Sequence, residues 1–90
     1  MTKEQVVNCK AKNPGAIAFF RECDTYKAYE GDAQRIYSVL MNRPMERLGS
    51  IAEVIIQMND LEFVIRMMVK AGCRVSIFED NPGKGTVGVG

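Results

Sequence analysis

The segment AIAFFRE, residues Ala16–Glu22, constrains the fold more than any other part of this 90-residue chain. It opens with a continuous run of five apolar residues, two of them aromatic, rather than an alternation of apolar and polar side chains. Such a run is typical of a strand that is covered on both faces. We therefore expect a central strand here, with other parts of the chain packed on both sides of its sheet.

The flanking segments predict three helices and three further strands. Thr2 and Gln5 match a capping box that opens a helix to about Lys12, and Asn13-Pro14-Gly15 ends it. The remaining expectations are a helix capped by Asp32, a short strand at residues 45–48, a strand at 52–58, a helix at 61–72 capped by Asn59 or Asp60 and closed by Gly72, and a strand at 73–79.

This order, α-β-α-β-β-α-β, predicts a fold of the α/β (mixed α+β) class. We expect one domain over residues 1–80, in which about three helices pack on a mixed four-stranded sheet. Residues 81–90 are rich in glycine and are expected to form a flexible tail.

Composition narrows the class of protein but does not identify a function. The net charge is +1, although residues 1–12 carry Lys3, Lys10 and Lys12 against Glu4 alone. That excess is small for a nucleic-acid-binding protein. Three cysteines lack the even count and spacing of a disulfide framework or a zinc site, which favours a cytoplasmic protein, and no apolar run reaches membrane-spanning length.

The residue types give little support for catalysis. The chain has no histidine, so it lacks the commonest general base and the commonest metal ligand. Cys23 is followed by Asp24, whose charge disfavours a reactive thiolate. Of the nearby carboxylates, Asp32 is expected to cap a helix and Glu22 to pair with Arg21 or another cation, which leaves little for a metal site. Residues 81–86, NPGKGT, lack the spacing of a phosphate-binding loop. We expect no catalytic residue, cofactor or metal, and no enzymatic activity.

The helix expected at residues 61–72 leaves two interpretations open. Four of its apolar residues are expected to face the sheet: Leu61, Val64, Ile65 and Met68. Its polar row is narrow: Glu62, Arg66 and Lys70. Phe63 and Met67 are left over. Either the helix lies deep between the sheet and another element, or Phe63 and Met67 form a patch for a partner or a second copy.

Two stretches, NPGAIAFFRECDTYKAYEGDAQRIYSVL and LEFVIRMMVKAGCRVSIFED, together resemble a known domain. It is the N-terminal, mismatch-contacting domain I of the MutS family of DNA mismatch-repair proteins, and the resemblance covers residues 4–80. The residues that carry it are Arg21, Asp24, Tyr26, Asp32, Ala33, Gly72, Val75, Ile77 and Glu79.

The resemblance implies a domain that lies against DNA, with the loop after its first strand directed at the duplex. In the family, a Phe of that loop wedges beside a mispaired base and a Glu two residues later hydrogen-bonds the base. Here Thr25 and Lys27 hold those positions, and Cys23 holds the loop's Gly position. Thr25 is too short to wedge between bases, and Lys27 cannot accept a hydrogen bond. Mispair recognition is therefore expected to be absent.

What remains implied is contact with the DNA backbone, weak and without mismatch specificity. The candidate contacts are Arg21, Thr25, Tyr26, Lys27, Lys10 and Lys12. Non-specific binders have a Kd on the order of 10⁻⁴–10⁻⁶ M. The alternative is a protein-interaction or homodimerising module that uses Phe63 and Met67. The expected partners are thus DNA, a larger protein or a second copy, and no membrane.

Overall fold

The computed structural model describes residues 2–79. Within them lie α1 (Lys3–Lys12), β1 (Ala16–Glu22), β2 (Thr25–Tyr29), α2 (Glu30–Met41), β3 (Glu53–Gln57), α3 (Leu61–Lys70) and β4 (Arg74–Phe78), with 3₁₀ turns at Met45–Arg47 and Met58–Asp60. The expected tail at residues 81–90, with its NPGKGT segment, lies outside the described residues, as does residue 80 at the domain's predicted end.

The four strands form one mixed sheet in the order β3-β2-β1-β4. β1 pairs parallel to β4 and antiparallel to β2, and β2 pairs antiparallel to β3. The predicted four-stranded mixed sheet with three helices is confirmed, and so is the placement of β1 inside the sheet.

The two faces of the sheet are covered differently. Ile17 and Phe19 of β1 face α2 and α3, in a core where Phe19, Ile36 and Met68 are fully buried. Phe20 points to the opposite face, where its ring stacks on Phe78 at 5.2 Å between centroids. Helix α1 crosses that second face and leaves an apolar groove of about 630 Å³ beside Phe20. Every residue from Ala16 to Phe20 is consequently buried, as predicted.

One strand lies elsewhere than predicted. Residues 45–48 do not form a strand, because Pro44 directs the chain into a 3₁₀ turn in which the amides of Arg47 and Leu48 bond back to the carbonyls of Pro44 and Met45. The additional strand is β2, in a segment expected to be a loop. The observed order is therefore α-β-β-α-β-α-β.

The helix boundaries confirm two predictions and correct two. The capping box of Thr2 and Gln5 is formed, and Gly72 ends α3 with a φ of +89°. Asp32 does not cap α2, because the helix begins at Glu30 and places Asp32 in its first turn. Asp60 lies at the start of α3, but its helical backbone, continuing from a 3₁₀ turn, leaves its side chain without a capping hydrogen bond.

Candidate nucleic-acid interface

The segment expected to be a DNA-facing loop is a tight β-hairpin. β1 and β2 are joined by only Cys23 and Asp24. Cys23 has a φ of +56°, the left-handed conformation that a two-residue hairpin turn commonly requires and that glycine adopts at least cost. The Thr25 hydroxyl donates to the carbonyl of Glu22 at 3.0 Å and closes the turn. Thr25 is therefore anchored in the sheet rather than presented from a loop.

Glu79 links two of the candidate contact residues at the end of the sheet. Arg21 Nη1 lies 3.2 Å from Glu79 Oε1, and the Tyr26 hydroxyl donates to Glu79 Oε2 at 2.9 Å. The hydrogen bond to Glu79 raises the pKa of Arg21. Burial, reinforced by Glu79, raises the pKa of Tyr26. The hydrogen bond from the buried Tyr26 to Glu79 therefore ties the hairpin to the end of β4.

Lys27 lies on the second face of the sheet between two carboxylates. Its Nζ is 2.8 Å from Glu22 Oε1 and 3.8 Å from Glu53 Oε1, and its side chain is 22% exposed. The hydrogen bond between Lys27 and Glu22 raises the pKa of Lys27 and lowers the pKa of Glu22. Both groups are therefore held in their charged forms near neutral pH, and the charge of Lys27 is compensated within the fold.

The other two candidates are at the far end of β1. Lys10 Nζ lies 2.9 Å from both carboxylate oxygens of Asp32 and also donates to the carbonyl of Ala16. The amide of Ala18 donates to Asp32 at 3.1 Å. Lys12 is exposed and has no ion pair within residues 2–79.

Arg21, Thr25, Tyr26 and Lys27 all lie in the hairpin, but Arg21 and Tyr26 are on the core side of the sheet and Lys27 is on the second face. Lys10 and Lys12 lie apart from them. The sequence interpretation assigned Glu22 a cationic partner but missed three other acidic partners of these groups, which are Glu53, Glu79 and Asp32. Only strand pairing brings Glu53 close to Lys27 and Glu79 close to Arg21, and no local pattern specifies that pairing. The detectable signal was the alternation in TYKAY, where Tyr26 and Ala28 are buried and their neighbours half-buried.

The side chains of α3 divide into a face toward the sheet and an exposed side. Val64 and Met68 are buried, and Leu61 and Ile65 are half-buried, as predicted. Phe63 is 59% exposed and Met67 is half-buried. Because Phe63 is exposed, α3 does not lie deep between two layers within residues 2–79.

No helix within residues 2–79 has the length and apolar character to cross a membrane. In the same residues, no group of three or more His, Cys, Asp or Glu side chains is placed to hold a metal ion.

The topology and the hairpin define a small mixed α/β domain, in which the first strand is central and carries the hairpin at its end. The sequence model of the family described as MutS domain I matches residues 2–87. The chain therefore belongs to the MutS domain I family. No curated protein matches the chain significantly.

Proposed function

We propose that this chain is a non-enzymatic MutS domain I module that binds the DNA backbone weakly and does not distinguish mispaired from paired bases. The placement of Thr25 and Lys27 in β2 carries this proposal. The Thr25 hydroxyl is bonded to the carbonyl of Glu22, and Lys27 lies against two carboxylates. Neither side chain projects far enough, or has the chemistry, to enter a base stack and bond a mispair.

Among the six candidate contacts, Arg21 and Lys12 are best suited to bind a phosphate of the DNA backbone. Arg21 is 42% exposed and its partner Glu79 is 48% exposed. An exposed ion pair contributes only about 0–1 kcal/mol, so a DNA phosphate can replace Glu79 at little cost. Lys12 has no ion pair within residues 2–79 to break. Lys27 is more enclosed and has two acidic neighbours, so it contributes less.

The salt dependence of DNA binding tests the proposal. Two phosphate contacts predict that log K falls with log salt with a slope of about −2, because each contact releases about 0.9 of a counterion. Arg21→Gln and Lys12→Gln are each expected to make that slope shallower by about 1, to about −1. Arg66→Gln is a matched control, because Arg66 lies in an exposed pair with Glu62 on α3.

Fluorescence anisotropy with a labelled duplex gives these slopes directly. The proposal fails if the wild type does not bind at low salt. It also fails if Arg66→Gln changes the slope as much as Arg21→Gln does, since binding would then follow net charge rather than the named contacts.

The exposed ring of Phe63 supports a second candidate, a homodimer formed through α3. Phe63 is more than half exposed beside Met67, an arrangement that pairing of two copies would cover. Sedimentation over a range of concentrations tests it, with Met67→Lys expected to abolish a dimer. Val7→Lys on α1 is the control, because Val7 has the same exposed fraction of 59%. A wild type that stays monomeric at every concentration rejects this candidate.

A further inference from the structure

A polar cleft of about 410 Å³ lies at the end of the sheet opposite the hairpin. Its walls come from the start of β1, the first turns of α2 and the turn between α3 and β4. The parallel register pairs Ala16 with Arg74, which places the first residues of β1 and β4 side by side at this end. Four charged side chains line the cleft: Lys10, Asp32, Arg35 and Arg74. Its volume is within the range of small-ligand sites, about 300–1,000 Å³.

The charges of the cleft do not cancel. Lys10 and Asp32 neutralise each other, because the ammonium group lies 2.9 Å from both carboxylate oxygens. The guanidinium groups of Arg35 and Arg74 make no ion pair or hydrogen bond with any group in residues 2–79. Three cations and one carboxylate leave a net charge of +2. The hairpin differs, since Arg21 and Lys27 both have acidic partners there.

Gly15 makes room for one of these arginines. A Cβ atom at position 15 would lie 2.8 Å from Nη2 of Arg74, which is closer than a Cβ atom comes to a non-bonded heavy atom. The guanidinium group therefore lies directly over the backbone that enters β1. The absence of a side chain at Gly15 allows Arg74 to lie against the wall of the cleft.

We propose that this cleft binds a phosphomonoester, with Arg35 and Arg74 as its cationic ligands. A phosphomonoester carries a charge of about −1.5 to −2 near neutral pH, which matches the cleft. The planar guanidinium group donates two parallel hydrogen bonds to phosphate oxygens, which an ammonium group cannot do. Such a group occurs on a free mononucleotide and at the 5′ end of a DNA strand. The site lies at the opposite end of the sheet from the backbone contact proposed for Arg21.

The cleft is tested by NMR titration of the whole chain with inorganic phosphate and with deoxyadenosine 5′-monophosphate. We expect amide shifts around residues 15, 35 and 74. Arg35→Gln and Arg74→Gln are each expected to weaken binding about tenfold, the effect of losing a charge-assisted hydrogen bond. Arg43→Gln is the matched control. Arg43 is an exposed arginine that follows the C-terminal end of α2 and lines a different groove.

Gly15→Ala adds a further test, because it keeps both arginines but forces the end of the Arg74 side chain to move. It should weaken phosphate binding at least about threefold while the amide spectrum keeps the dispersion of a folded chain. Oligonucleotides with a 5′-phosphate or a 5′-hydroxyl separate the two sources of the group. Preference for the 5′-phosphate, or binding of the mononucleotide alone, supports the site. Equal phosphate affinity in the wild type and both arginine variants, or an equal loss in Arg43→Gln, overturns it.

Discussion

Lys10 and Asp32 are 22 positions apart in the chain, yet the Lys10 ammonium lies 2.9 Å from both oxygens of the Asp32 carboxylate. Asp32 also accepts from the amide of Ala18, and Lys10 donates to the carbonyl of Ala16. β2 pairs with β1 only at Phe20, Arg21 and Glu22, so these two side chains supply hydrogen bonds to the part of β1 that β2 does not reach. The pair thereby ties α1, β1 and α2 together.

Asp32→Ala is expected to lower the free energy of unfolding by about 2 kcal/mol. It leaves the Ala18 amide and the Lys10 ammonium, both part-buried, without their acceptor. Urea denaturation measures the change. Glu62→Gln is the control, because it breaks only an exposed i,i+4 pair and should cost about 0.5 kcal/mol or less. Equal losses in the two variants would show that the Lys10–Asp32 pair has no special structural role.

Cys23→Gly is expected to raise the free energy of unfolding by about 0.5–1 kcal/mol. Cys23 has a φ of +56°, and a left-handed conformation costs a non-glycine residue roughly 1–2 kcal/mol, part of which the greater unfolded-state entropy of glycine offsets. Asp24→Gly in the same turn should instead be destabilising, because Asp24 does not have a positive φ. The reverse order of urea midpoints would contradict this account of the turn.

The ion pair of Glu22 and Lys27 predicts a pH dependence of stability. The pKa of Glu22 is lowered below its ordinary value of 4.5 by Lys27. A lowered carboxyl pKa stabilises the fold above the unfolded pKa, and this contribution is lost as the pH falls through the folded pKa. The stability difference between wild type and Glu22→Gln should therefore shrink between about pH 6 and about pH 3. A difference that is constant over this range would contradict the prediction.

The sequence predicted the parts of the fold that local chemistry determines. The apolar run of β1, the Thr2–Gln5 capping box and the alternation of Val54 and Ile56 in β3 each have a short-range signal, and the structure has all three elements. β2 was missed because its charged and polar residues face a sheet surface that is only partly covered. Only two of its residues, Tyr26 and Ala28, are buried, and the pattern is short.

The acidic partners of the candidate site were missed for a different reason. Glu79 meets Arg21 and Tyr26 only because β4 runs parallel to β1 and ends beside the hairpin. Asp32 was expected to cap a helix, the common local role of its residue type, whereas its observed partners come from α1 and β1. Both assignments depend on tertiary pairing between residues distant in sequence.

Installing the family's wedge residues should not create mismatch recognition. In Thr25→Phe/Lys27→Glu, position 25 remains in β2 beside the turn, and the new carboxylate at position 27 lies near Glu22 and Glu53. Repulsion among these three carboxylates is expected to lower the urea midpoint. Binding of this variant to mispaired and paired duplexes should be equal. A clear preference for the mispair would show that the hairpin can present a wedge after all.

The ratio of two dissociation constants shows whether this chain recognises a mispair. Anisotropy titrations of the wild-type chain would compare a duplex containing one G·T mispair with the fully paired duplex of otherwise identical sequence, at the same low salt concentration. We predict measurable binding, with a ratio of the two dissociation constants of about 1, because backbone contacts carry no information on base pairing. A preference of about tenfold or more for the mispaired duplex would contradict it.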